Sequence, residues 1–186
     1  MCIRDSYQAL ANDIQAVPVG STIRFTINNQ GDRDLYAIFV GIDSLERFTT
    51  FYPLSSSNSS GTSPIPKSLK IEAQSQLTIP KPASSTANNT WEWQINQPLG
   101  QNTLYLIFST KPWSSSLEIT AKQSAEKSTK QSEIIKLANP LKFSEAILAD
   151  LHDSSAVDPA LLSQNTDVYA WDVNEWASFK FVYDVV

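Results

Sequence analysis

The chain is poor in the side chains that carry most protein chemistry. Its 186 residues include one cysteine, one histidine and one methionine. A lone cysteine excludes a disulfide within the chain, and one cysteine with one histidine excludes most metal sites built from thiolate and imidazole. A thiol–imidazole nucleophile pair would have to be Cys2 with His152, and Cys2 lies at the extreme start of the chain. The same histidine would have to serve any serine triad, and no Gly-x-Ser-x-Gly turn is present. Five glycines, none gathered in a phosphate-binding loop, set nucleotide binding aside. The longest apolar run, Leu35 to Ile42, is far short of the roughly 20 residues a membrane-spanning helix needs. Basic residues number 14 against 19 acidic ones, for a net charge of −5. Such a surface has no electrostatic reason to bind nucleic acid. No cofactor is called for by any of these patterns.

What is present is the composition of a globular protein, 41% hydrophobic and 18% charged. A chain of this length buries roughly 70% of its unfolded surface, so neither metal nor disulfide is required to hold it. The opening Met1-Cys2-Ile3-Arg4-Asp5-Ser6 has no charged leader and apolar core, and reads as translated adapter sequence. The natural chain is then expected to extend further upstream. With no signal or span visible, the reading leans to the cytoplasm and otherwise leaves the compartment open.

Periodicity points to a mainly β fold. Residues 7–16 read as the tail of a helix or a linker, broken by Val17-Pro18-Val19-Gly20. From Thr22 to Asn28, Ile23, Phe25 and Ile27 alternate with polar residues, the period of a half-buried strand. Leu35–Ile42 is apolar at both parities and is expected in the middle of a sheet covered on both faces. Arg47–Tyr52, Leu69–Ile71, Gln76–Pro80, Trp91–Ile95 and Thr103–Ser109 follow as strands, the last two joined as a hairpin through Gly100. Residues 54–66 and 81–90 are polar loops. Lys122–Glu133 reads as a polar linker or a solvated helix turn. Asn139-Pro140 supplies an N-cap with proline at the first helical position, and Phe143, Ile147, Leu148 and Leu151 carry an apolar stripe to about His152. Alternation returns from Ala177 to Val185.

The expected architecture is an antiparallel β-sandwich, immunoglobulin-like, with one C-terminal covering helix before the last strands. Residues 1–16 are adapter and upstream linker, 17–121 the sandwich body and 122–138 a polar linker. Residues 139–186 add a helix and terminal strands to the same domain.

Five tryptophans are the unusual count. Trp91, Trp93 and Trp113 lie near loops and form the candidate binding surface, because a strand pair at i, i+2 makes a flat aromatic platform. The competing account is that they fill the core of a loop-rich sandwich, and the residues favour it. Trp171 and Trp176 read as packing residues. Asp32 and Asp34 flank Arg33 with a spacing reminiscent of a calcium loop, but no further oxygen ligands follow. Asp32 in a turn with Arg33 as its partner is the preferred account. His152 is read as a helix-end residue favoured there by the helix dipole. Asn58-Ser59-Ser60 and Asn88-Asn89-Thr90 match the glycosylation acceptor pattern, which arises often by chance in Ser-rich loops.

The stretch Val17-Pro18-Val19-Gly20-Ser21-Thr22-Ile23-Arg24-Phe25, with Asp32-Arg33-Asp34-Leu35-Tyr36 through Asp43, resembles a bacterial domain of unknown function. That domain is found C-terminal to caspase-like, metacaspase-type peptidase domains. Phe51-Tyr52-Pro53, Pro98-Leu99-Gly100, Lys111-Pro112, Asn139-Pro140-Leu141 and Val168-Tyr169-Ala170-Trp171-Asp172 extend the resemblance over residues 17–186. The resemblance implies a non-catalytic accessory module acting in docking, regulation or substrate recruitment. Its partner would be a peptidase domain upstream in cis, or another protein. No catalytic residue of such a peptidase maps onto this chain. The alternative is a carbohydrate- or peptide-binding sandwich that uses exposed tryptophans.

Overall fold

The computed structural model describes residues 15–51, 68–79, 93–125, 134–155 and 175–186. In chain order, the first strands are β1 (Gln15–Val17), β2 (Thr22–Ile23), β3 (Phe25–Asn29), β4 (Leu35–Ile42) and β5 (Phe48–Phe51). β6 (Leu69–Ile71), β7 (Ser75–Ile79), β8 (Trp93–Gln94) and β9 (Gly100–Ser109) come next. Helix α1 (Ser115–Ala125), β10 (Ile134–Lys136), helix α2 (Pro140–Ser155) and β11 (Trp176–Val185) complete the order. The fold is mainly β, with two helices among the described residues.

A seven-stranded sheet is the frame, in the order β1-β11-β9-β4-β5-β10. β6 joins it at the start of β4, pairing Leu35–Ala37, while β5 pairs Phe39–Ile42. β4 therefore has neighbours on both edges, as its unbroken apolar run requires. Its odd and even residues serve opposite faces. Ala37 and Phe39 join Leu104, Leu106 and Phe108 of β9 in one core, against which Phe25, Ile27, Leu77 and the buried Ile79 and Trp93 pack from β3, β7 and β8. Ile38 and Val40 face the other way, into a second core with Trp113, Leu137, Phe143 and Ile147, joined by Leu117, Ile119 and Leu151 of the helices. Each large side chain withdrawn from water contributes about 1.5–3 kcal/mol, so these two cores outweigh the surface ion pairs, each worth about 0–1 kcal/mol.

Several local expectations change. The strand expected over Thr22–Asn28 divides at Arg24, because β2 pairs with β8 and β3 pairs with β7. Among the described residues the hairpin through Gly100 is not formed. β8 lies in a two-stranded sheet with β2, whereas β9 runs between β4 and β11 in the main sheet. Gln15 and Ala16 are strand rather than helix or linker, held parallel to β11. Among the described residues there are two helices, not one: α1 crosses residue 121, and β10 falls inside the stretch read as linker.

The helix expected from Asn139 is present. Asn139 Oδ1 accepts from the Lys142 amide at 3.1 Å, which satisfies one of the first-turn donors. α2 continues past His152 to Ser155 and lays Phe143, Ile147 and Leu151 on the sheet. The polar loops around 54–66 and 81–90, with both glycosylation patterns, lie outside the described residues. Among the described residues no helix is long and apolar enough to cross a membrane.

Candidate functional site

Of the three tryptophans proposed as a binding surface, two are inside. Trp93 is 5% exposed and Trp113 2%. The Trp93 ring sits 5.7 Å from that of Phe25 and 5.9 Å from that of Phe39, in tilted and edge-on contacts. Trp113 donates its Nε1–H to the Tyr36 carbonyl at 3.1 Å, and its backbone N–H to Ser68 Oγ at 3.0 Å. Trp91 lies outside the described residues. Trp93 and Trp113 therefore form no external platform. Both sit over strands whose faces are covered by a second layer. Trp176, expected to pack, is instead 43% exposed on the same parity of β11 as Ser178 and Lys180. Trp171 lies outside the described residues.

The turn between β3 and β4 carries most of the polar motif, and it is built into the fold. Asn29 is 3% exposed. Its Nδ2 donates to the carbonyls of Arg33 at 2.8 Å, Ile71 at 3.3 Å and Glu72 at 3.0 Å, while its Oδ1 accepts from the Gly31 amide. One amide group thus pins the β3–β4 turn to the β6–β7 turn. Asp34 accepts from the Ala73 amide at 3.0 Å and pairs with Lys70 at 2.8 Å. The Lys70 ammonium, then the Ala73 amide, hold its carboxyl below the ordinary aspartate value. Arg33 reaches Glu175, just before β11, at 2.5 Å, and the other Glu175 oxygen accepts from the Thr110 hydroxyl. The partner found for Arg33 is thus Glu175, distant in sequence, in place of the expected Asp32. Among the described residues no group of three or more His, Cys, Asp or Glu side chains gathers to hold a metal.

A second polar cluster was not visible in the sequence. Asp150 of α2 is 6% exposed and aims at the start of α1. Its Oδ1 accepts from the amides of Ser114 and Ser115 and the Ser114 hydroxyl; its Oδ2 accepts from the Ser116 amide and hydroxyl, at distances of 2.8–3.3 Å. One helix caps the other, with a carboxylate placed at the positive end of the α1 dipole. Burial opposes its charge, but the amides of Ser116 and Ser115 and the two hydroxyls outweigh that and keep the carboxyl below its usual range. Nothing local marks Asp150, because its partners are more than thirty residues away. The only available hint was the Ser114-Ser115-Ser116 run, which is a helix-start signal.

His152 lies on the exposed side of the last turn of α2, its Nδ1 3.7 Å from Asp153 Oδ1. At the turn between β4 and β5, Asp43 accepts from the amides of Leu45 and Arg47 and pairs with Arg47 Nε at 2.7 Å. Ser44 Oγ donates to the Leu99 carbonyl at 2.8 Å, joining that turn to the loop before β9. Leu45 and Leu99 are exposed beside this junction, and Val19 and Val186 are exposed where the β1–β2 turn meets the chain end.

Together these groups define a class of protein: a mainly β module, helix-covered on one side, whose described polar motif residues tie turns and helix ends together. The family model for DUF4384, a domain of unknown function, matches residues 16–112. The chain belongs to that family. The match runs from β1 to just beyond β9 and stops before α1, so the likeness drawn for residues 139–186 lies beyond it. Comparison with curated proteins and with solved structures gave no match.

Proposed function

We propose that the chain is a non-catalytic accessory module of a caspase-like cysteine peptidase, acting in docking, regulation or substrate recruitment. The observation that supports this is the use of its motif residues. Arg33, Asp34 and Asp43, through which it resembles domains attached to such peptidases, are engaged with backbone amides and ion-pair partners. Groups used in this way position surfaces rather than react. The packing of β2, β3, β7 and β8 over one face of the main sheet supports the finer reading of the architecture as a sandwich of immunoglobulin type. A glycan- or peptide-binding module built on tryptophans is the weaker reading, since Trp93 and Trp113 are enclosed.

The test has two parts. The coding sequence upstream of Tyr7 is expected to specify a caspase-like domain with its own His and Cys. The chain alone is expected to leave Arg- and Lys-directed peptide substrates uncut. Cleavage that disappears in His152→Ala would overturn the proposal, as would an unrelated module upstream.

A further inference from the structure

β11 pairs with β9 along its whole length, one residue to one, from Trp176↔Ser109 to Val185↔Gly100. Among the described residues its other edge is covered at Tyr183–Val185, by β1 running parallel. The strand from Trp176 to Phe181 therefore has, among the described residues, a strand neighbour on one edge, β9. The direction of its peptide groups follows from bonds at its two ends. Val186 N–H donates to Val17 O and Val186 O accepts from Val19, so the even-numbered residue there faces the β1 side. Glu175 O accepts from the Thr110 amide, so the odd-numbered residue faces β9. Strand alternation then directs the N–H and C=O groups of Ser178 and Lys180, and the N–H of Val182, to the open edge, the Val182 carbonyl lying in register with Gln15 of β1.

Sheet edges are usually blunted by proline, bulges or charge. This one has no proline, and its register with β9 is unbroken. Among the described residues the charge on it is Lys180, which is exposed on the same face as Trp176 and Ser178. The other face continues, through Phe179 and Phe181, into the apolar core under β3.

We propose that the Trp176–Val182 edge accepts an extended segment of a partner polypeptide as an added strand, in line with β1. The segment would be apolar on the Phe179 and Phe181 face and would carry a carboxylate opposite Lys180. Two features argue for this occupant: the edge already takes a strand at Tyr183–Val185, and Lys180 asks for an opposite charge. A second copy is disfavoured. Two-fold antiparallel pairing centred on the edge would set Lys180 diagonally across from its own counterpart. This names the surface for the docking reading above and rests on that reading for its biological use, but not for its chemistry.

The experiment is amide hydrogen exchange on the 186-residue chain, with and without a synthetic peptide of alternating Thr and Val bearing a central Glu. In the free protein the Ser178, Lys180 and Val182 amides should exchange fast while Ala177, Phe179 and Phe181 are protected. The peptide should slow the first set by at least about tenfold. Lys180→Glu should abolish that protection and transfer it to a peptide with Lys in place of the Glu. Ser178→Pro removes an outward N–H only, so it should keep the thermal midpoint and lose the peptide. Three results would overturn the proposal: full protection of the edge in the free monomer, protection that appears only with dimerisation, or a peptide effect indifferent to charge at Lys180. None of these depends on the upstream domain, so the failure of either proposal is distinguishable from failure of the other.

Discussion

Asp150 shows how one side chain can hold two elements. Its carboxylate satisfies the first amides of α1 from the side of α2, so its removal leaves those donors buried with no acceptor. Asp150→Ala is expected to cost about 2–4 kcal/mol in urea unfolding at neutral pH. The folded-state pKa lies below the usual 3.8. This contribution is therefore fully present above that value and is lost as the pH falls through the lower, folded one. The gap between parent and variant should narrow on going from pH 7 toward pH 3. A gap independent of pH would show that charge is not what Asp150 supplies. Asn29 plays a comparable part with a neutral group. It needs donor and acceptor on one side chain, which is why an amide and not a carboxylate stands there.

At the scale of elements, legibility in the sequence depended on what each element buries. β4, β9, β11 and α2 bury hydrophobic residues at their own period, and each was visible as a strand or a helix. α1 was not. Its most buried positions include Ser116 and Thr120, both fully enclosed, so the side it turns inward looks polar in one dimension. Small hydroxyl residues let α1 approach α2, and Thr120 Oγ1 bonds back to the Ser116 carbonyl at 2.8 Å. The β4–β5 pair has a comparable close fit. A Cβ on Gly41 would lie 2.6 Å from Thr49 Oγ1. Gly41→Ala should destabilise by about 1–3 kcal/mol, through overpacking against a stiff β-branched neighbour. Thr49→Ala should restore most of that loss. Thermal unfolding of the two single variants and the double variant checks it, and simple additivity would place the clash elsewhere.

At the scale of the whole molecule, β11 sits between β1 and β9. β11 contributes Phe179, Phe181 and Tyr183 to the core beneath β3, and its start is tied to the β3–β4 turn through Glu175 and Arg33. A chain ended after Glu175 would expose the edge of β9 and that core together. It is expected to lose the cooperative unfolding transition and near-ultraviolet ellipticity while keeping some far-ultraviolet signal. A sharp transition at the parent midpoint would make β11 peripheral. The long separation in sequence between β1, β9 and β11 also places this molecule among slow-folding topologies, because distant segments must meet before their contacts stabilise anything.

The sequence by itself determined the period of its strands, the capped start of α2 and the central, doubly covered character of β4. These follow from local rules: side chains alternate at two along a strand and recur at 3.6 along a helix. Tertiary structure alone decided which strands are neighbours, that β8 leaves β9 for β2, and that Trp93 and Trp113 face inward while Trp176 faces out. It also decided that Asp150 caps a helix not its own. A strand's pattern says that one face is buried but not by what, and a polar residue's role depends on groups that only the packed chain brings within hydrogen-bonding distance.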